Sequence, residues 1–249
     1  MFSMRNRIAT YLFFITIAFY SCTTKPPQVN YSTYKIDTQT NVDSSFSKML
    51  LPYRDSMNTA MNTVIGFAVD GLTKKQPESV LGNFMTDAIK TMAEKKFGKK
   101  INAAFVNYGG IRSYVPKGDI TVGKIFELMP FDNIIVLQEL KGFQLKEFLN
   151  KVCEKGGWPV SKGLTYSMKD KKLVDVFVDE KPVEDNTVYI IANSDYIANG
   201  GDDCAMLKNI PKQTVYYLMR DALLDYTKLQ TQEGKPITAK IENRVVYAK

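Results

Sequence analysis

The stretch Ala103-Ala104-Phe105-Val106-Asn107-Tyr108-Gly109-Gly110-Ile111-Arg112 passes, within ten positions, from four apolar residues to an asparagine, two adjacent glycines and an arginine. The apolar run has the length of a short buried strand. Gly109 and Gly110 let the backbone turn and let another group approach the main chain closely. Asn107 offers a paired donor and acceptor, and Arg112 presents a rigid fork suited to phosphate or carboxylate. Taken alone, an Asn-x-Gly-Gly is most often a tight turn.

A second segment repeats the grammar. Val188 to Ala192 reads as a strand, and Ala198-Asn199-Gly200-Gly201-Asp202 then sets a carboxylate beside another glycine pair. Tyr196 lies just before it. Between the two loops in sequence, Phe131 stands on the proline turn Pro130-Phe131-Asp132-Asn133. An aromatic on each of two loops is what a flat heterocycle needs, because stacking uses area rather than specific bonds. A carboxylate accepts hydrogen bonds from sugar hydroxyls, whereas arginine and lysine serve phosphate. On residue types alone, core aromatics beside ordinary turns account for the same pattern equally well.

Hydrophobic spacing outlines the rest. Phe46, Met49, Leu50, Tyr53, Met57 and Met61 follow helical spacing from Val42, with Pro52 predicting a kink or break. Val64 to Val69 suits a strand. Leu81, Phe84, Met85, Ala88, Ile89 and Met92 form an unbroken helical stripe, with Ser79 as its N-cap. Thr121 caps a short helix, Ile134 to Leu140 is a strand, and Gly142 to Cys153 is an amphipathic helix. Leu164 to Met168 and Leu173 to Val178 flank a lysine-rich turn as a hairpin. Val215, Leu218, Met219, Ala222, Leu223 and Tyr226 predict a last helix, and Ile237 to Tyr247 a closing strand. Helices and strands alternating irregularly, with hairpins among them, predict a mixed α/β (α+β) domain with partly antiparallel sheets.

The 249 residues suit one domain with appendages. The formal charge of +7, from 33 basic and 26 acidic residues, is spread widely, which reads as a lysine-rich solvated surface rather than a nucleic-acid face. There is no histidine. That excludes Ser-His-Asp and Cys-His catalysis and any imidazole-ligated metal. Cys22, Cys153 and Cys204 are too few and too dispersed for a zinc site, while a carboxylate-only magnesium or calcium site stays open. Arg5 and Arg7 before the apolar run Ile8 to Tyr20, closed by Ser21-Cys22, predict a signal peptide over 1–21 with Cys22 lipidated as the first mature residue. The run is shorter than the roughly 20 residues of a membrane span. Residues 22–41 read as a polar tether with a first strand at Tyr31 to Ile36, and 42–249 as the domain. Export permits a Cys153–Cys204 disulfide; two buried free thiols are equally consistent.

Four ordered segments together resemble the C-terminal, nucleotide-binding domain of the 5′-nucleotidase / UDP-sugar hydrolase family. They are Glu78-Ser79-x-x-Gly82-Asn83-x-x-x-Asp87-Ala88; Asn107-x-Gly109-Gly110-Ile111-Arg112; Gly118-Asp119-Ile120-Thr121 with Pro130-Phe131-x-Asn133; and Asn199-Gly200-Gly201-Asp202. The resemblance spans roughly Val42 to Tyr247. It implies an α/β domain layered α-β-β-α that holds a substrate nucleotide or nucleoside. The family's stacking aromatics, usually both phenylalanine, fall on Phe131 and Tyr196, and its ribose-binding aspartate on Asp202. Asn107, Gly109, Gly110, Arg112, Asn133 and Gly201 match further binding positions. An upstream phosphate-binding arginine falls near Lys75. Tyr108 stands where a third glycine is usual, and Val80 replaces a common asparagine. Family enzymes also carry a metallophosphoesterase domain whose two metals are held by Asp, His and Asn. A chain without histidine supplies no catalytic residue or metal ligand of that kind, so the resemblance implies a separate metallophosphoesterase subunit bearing the divalent metals. The alternative is a non-catalytic nucleotide-binding lipoprotein.

Overall fold

A computed structural model of the chain describes residues 29–33 and 43–248. The expected signal segment and Cys22 lie outside those residues. Of the strand expected at Tyr31 to Ile36, residues 31–33 carry no strand and 34–36 lie outside the described residues. The described residues from Lys48 onward form one compact unit, and those up to Ser47 fall outside it.

Helix α1 (Ser44–Met61) begins at Asp43, whose carboxylate accepts from the backbone N–H groups of Ser45 and Phe46 at 2.8 and 3.1 Å. It runs unbroken through Pro52, where the sequence predicts a kink. A proline forfeits one bond to the carbonyl four residues back, and on an exposed helix that carbonyl can turn to water instead. The apolar side is also exposed, at Phe46, Met49, Leu50, Tyr53 and Met57.

Strand β1 (Val64–Ala68) pairs antiparallel with β3 (Gly118–Thr121). Between them lie α2 (Val80–Phe97) and the two-residue strand β2 (Ala103–Ala104). Ser79 caps α2, its hydroxyl accepting from the Gly82 N–H at 3.0 Å, and the predicted stripe is buried. Thr121 caps α3 (Val122–Leu128) in the same way. There follow β4 (Ile134–Lys141), α4 (Gly142–Glu154), the hairpin β5 (Leu164–Lys169) and β6 (Lys172–Val178), and the short β7 (Lys181–Pro182). Strand β8 (Val188–Ser194) leads into the one-turn helix α5 (Asp195–Ala198); β9 (Gln213–Leu218), α6 (Met219–Gln232) and β10 (Val245–Tyr247) complete the chain.

Two predicted elements change. Val215 and Leu218 belong to β9, and the helix begins only at Met219. The strand runs directly into the helix, so apolar residues near the junction happen to fit helical spacing across it. Of the closing strand expected from Ile237, only Val245–Tyr247 forms, while Ile237 makes a single bridge to Ala68.

The central sheet has the order β2-β8-β4-β9, with β2 parallel to β8 and β4 antiparallel to both its neighbours. Successive side chains of a strand point to opposite faces, and this sheet separates two cores accordingly. Ala104, Ala192, Ile135 and Leu137 pack with α2, α6 and β1; Ala103, Phe105, Ile191, Tyr189 and Leu140 pack with α4, β5 and β6. The second sheet, ordered β10-β5-β6-β7, closes that second core. The fold is mixed α/β.

The Glu78-to-Asp87 motif fastens the C-terminal segment to the start of α2. The Glu78 carboxylate accepts from Asn83 Nδ2 at 2.7 Å and from the backbone N–H groups of Glu242 and Arg244 at 2.9 and 3.1 Å. Buried Arg244 makes a two-pronged ion pair with Asp87, both contacts 2.7 Å, and reaches Glu242 and the Val160 carbonyl as well. Such a network positions chain rather than binding a ligand. The carboxylates of Glu78 and Asp87 and the Arg244 guanidinium are already spent on partners within it.

Candidate functional site

The sheet register brings three loops to one margin. Ala104 pairs with Ala192 and Ile135 with Ser194, so the carboxyl ends of β2 and β8 and the amino end of β4 lie together. Ligands of α/β sheets favour that end of the strands. The loop after β2 carries Asn107 to Arg112, the turn before β4 carries Phe131 to Asn133, and the segment after β8 carries Tyr196 to Asp202. A cleft of about 340 Å³ opens among them, lined by Asn107, Gly109, Gly110, Arg112, Phe131, Asn133, Tyr196 and Asp202.

Each loop is shaped by its own residues. Tyr108–Gly110 form one 3-10 turn, and the Arg112 N–H is tied to the Leu128 carbonyl at 3.0 Å. A Cβ on Gly110 would sit 2.6 Å from Asn107 Oδ1, so the glycine lets the asparagine side chain fold over its own loop. On the second loop Gly200 takes φ 95°, and a Cβ on Gly201 would meet the Tyr196 ring at 2.5 Å. In both pairs the second glycine makes room for a side chain that turns back. Those two side chains meet at Asp202: Asn107 Nδ2 donates to one carboxylate oxygen at 2.8 Å, and the Tyr196 hydroxyl donates to the other at 3.0 Å. The hydrogen bond to Asp202 pushes the Tyr196 hydroxyl above its ordinary pKa, keeping it a neutral donor.

Phe131 and Tyr196 are 40% and 47% exposed, which is high for aromatics and leaves ring area free in the cleft. The Arg112 guanidinium stands 5.7 Å from the centre of the Phe131 ring and donates to the Gly109 carbonyl at 3.2 Å. Next to the second loop, Asp203 is held below the ordinary carboxylate pKa by its hydrogen bond and ion pair with Lys155 at 2.6 Å. Chemically the cleft offers stacking surface, one carboxylate, two side-chain amides and one guanidinium.

Lys75 does not join them. It is exposed and lies outside the cleft lining. Its neighbour Lys74 turns to the glycine loop instead, with Nζ 2.8 Å from the Ile111 carbonyl and 4.4 Å from the centre of the Tyr108 ring. Leu72 is fixed by paired backbone bonds to Val115, and of the two lysines that follow it is Lys74 that faces the loop. Gly201 acts through Tyr196 rather than by lining the cleft.

Sequence patterning missed Arg220. It is 8% exposed, on α6, and its guanidinium holds the Phe131 turn by hydrogen bonds to the carbonyls of Met129 and Phe131 and to Asp132. An arginine at the start of an amphipathic helix gives no sequence signal of such a role. Cys153 and Cys204 are both free, so the disulfide is not formed; both are buried, and burial pushes each thiol up to about 12.

Comparison with known proteins identifies relatives of the chain. Residues 55–209 match the family described as 5′-nucleotidase, C-terminal domain. The chain is 26% identical over 237 residues to a trifunctional nucleotide phosphoesterase protein of Bacillus subtilis, covering 87% of this chain and 16% of that protein. It is 31% identical over 186 residues to a cell wall protein of Listeria monocytogenes, covering 68% of this chain and 24% of the relative. Among solved structures, a 5′-nucleotidase precursor from Thermus thermophilus superposes with a TM-score of 0.71 at 29% identity, over 83% of this chain and 44% of that one. The chain thus spans less than half the length of each of these proteins.

Proposed function

The chain belongs to the family of 5′-nucleotidase C-terminal domains, and from that premise we propose that its cleft holds the nucleotide in a 5′-nucleotidase-type phosphoester hydrolysis. The base stacks between Phe131 and Tyr196, and Asp202 accepts from the ribose hydroxyls. Asn107 and Asn133 address polar edges, and Arg112 answers the negative charge of the phosphate. The observation that carries this reading is the convergence of eight lining residues, from three separate loops, on one cleft.

The hydrolytic step needs a second unit. The sequence contains no histidine, and among the described residues no group of three or more Cys, Asp or Glu could hold a metal. Two divalent metals would supply an activated water and charge stabilisation. We assign them to a metallophosphoesterase unit outside these 249 residues, while this chain binds and orients the nucleotide. Export is supported by the apolar segment before Cys22 and by the cell wall relative, and a lipid at Cys22 would hold the protein at a membrane. Among the described residues no helix is long and apolar enough to cross one.

Titration calorimetry with AMP tests the binding half of this reading, and the release of phosphate from AMP with manganese tests the catalytic half. Binding without hydrolysis by the chain alone is expected, with hydrolysis appearing when a histidine-bearing phosphoesterase is added. An absence of binding at millimolar AMP would overturn the nucleotide site. Metal-dependent hydrolysis by the isolated chain would overturn the division of labour.

A further inference from the structure

Asp202 is the sole carboxylate among the residues lining the cleft, and its geometry is fixed to an unusual degree. It sits at φ 50°, ψ 37°, in the left-handed region that a non-glycine residue rarely occupies. One group brackets it from both sides. The Tyr196 hydroxyl donates to Asp202 Oδ1 at 3.0 Å and accepts from the Asp202 backbone N–H at 3.3 Å. Asn107 Nδ2 donates to Oδ2 at 2.8 Å. A phenylalanine in place of Tyr196 would stack on a base equally well, but would leave Oδ1 and the N–H without these partners. The ring and the hydroxyl therefore have separable roles.

We propose that the Tyr196 hydroxyl is a positioning group that sets sugar specificity through Asp202. A carboxylate oxygen accepts at two positions, and here the protein takes one on each oxygen. One position on each oxygen is left, in a fixed plane, which matches two hydroxyls on adjacent carbons presented together. The cis-diol of a ribose satisfies both. A 2′-deoxyribose satisfies one and leaves the other facing the cleft without a donor, and sites built to bond a hydroxyl discriminate against analogues that lack it. Without the Tyr196 hydroxyl only the Asn107 bond to Oδ2 restrains the carboxylate, whose torsion is otherwise broad. It can then rotate to serve a single hydroxyl, and discrimination falls.

This inference rests on reading the cleft as a nucleotide site, and the experiment separates the two. The dissociation constants of AMP and 2′-deoxy-AMP are measured by calorimetry for the wild-type chain and for Tyr196→Phe. Because Tyr196 is exposed and the ring is kept, the variant should fold, which its thermal unfolding checks. Wild type is expected to prefer AMP about tenfold, the scale of one hydrogen bond to a charged group. Tyr196→Phe is expected to cut that preference at least threefold while holding 2′-deoxy-AMP affinity within about twofold. General loosening of the loop would weaken both ligands alike and leave the ratio alone. An unchanged ratio in the variant, or no preference in wild type, overturns the positioning role with the nucleotide site intact. Failure of wild type to bind either ligand overturns the nucleotide reading, and this inference with it.

Discussion

The Arg220 guanidinium donates to the main-chain carbonyl oxygen of Phe131 at 3.3 Å, tying the last long helix to the turn that carries an exposed aromatic. The same group reaches Asp132 at 2.6 Å and the Met129 carbonyl at 3.5 Å, and it stacks 4.2 Å from the centre of the Phe126 ring. The Asp132 side chain is largely exposed, so that ion pair contributes little; the buried carbonyls contribute more. Arg220→Ala is expected to cost about 2–4 kcal/mol in urea unfolding and to weaken AMP binding about tenfold. Arg220→Lys keeps the charge but not the planar fork, and should fall between. Unchanged AMP affinity in the alanine variant would show that the Phe131 turn holds without it.

The glycines at 110 and 201 are predicted to be coupled to the side chains they admit. Gly201→Ala drives a Cβ to 2.5 Å from the Tyr196 ring and should destabilise by about 1–3 kcal/mol. In a Tyr196→Ala background the same change should cost at least about 1 kcal/mol less. A double-mutant cycle by chemical unfolding measures the difference, and simple additivity would refute the account. Gly110→Ala with Asn107→Ala gives the matching cycle on the first loop.

The α2 stripe, with its Ser79 cap, was fully legible, because core contacts there recur at helical spacing and the cap is local. The three cleft loops were legible as motifs, and the register of β2, β8 and β4 explains why they converge. The strand–helix junction at Leu218–Met219 was not legible. Apolar residues on both sides of it fit one helical stripe, and nothing local marks Tyr216, whose φ of 53° accompanies an irregular pairing of β9 with β4. Arg220, Arg244 and Lys74 escaped notice for a related reason. Apart from Glu242 beside Arg244, their partners lie far off in sequence, and a basic side chain looks the same whether it is solvated or buried in a network.

Lys74 and Lys75 should separate cleanly. Lys74→Met removes the bond to Ile111 and a cation–π contact worth about 0.5–1 kcal/mol, so a loss of about 1 kcal/mol and a several-fold weaker AMP affinity are expected. Lys75→Met should change stability by less than about 0.5 kcal/mol, as for other exposed positions. Calorimetry on the two variants decides which lysine serves the loop; a larger affinity loss from Lys75→Met would reverse the assignment.

Acid should loosen the C-terminal fastening. Burial pushes the Glu242 carboxyl up, but hydrogen bonds and charge from Arg244 and Lys162 outweigh it and hold the group below its ordinary value of 4.5. The folded state then binds this proton less readily than the unfolded chain. Its contribution is complete above about pH 4.5 and is lost as pH falls through the lowered folded value. The melting-temperature gap between wild type and Glu242→Gln should therefore be constant from pH 7 to 5 and shrink towards pH 3. A gap that stays constant down to pH 3 would contradict it.

The hydrogen bond from Asn107 to Asp202 joins residues 95 apart in sequence, across the parallel pairing of β2 with β8. Parallel strands so distant close late, because the loop entropy must be met before the pairing returns anything. The cleft thus requires the chain to have folded through the loop after β8, and a fragment stopping before β8 lacks one wall altogether. A bound nucleotide would act on folding by mass action: at a hundredfold excess over its Kd it would add about 2.7 kcal/mol to the complete fold and nothing to any shorter intermediate. Ligand availability would then govern how much of the protein survives to be used, as well as how much of it is occupied.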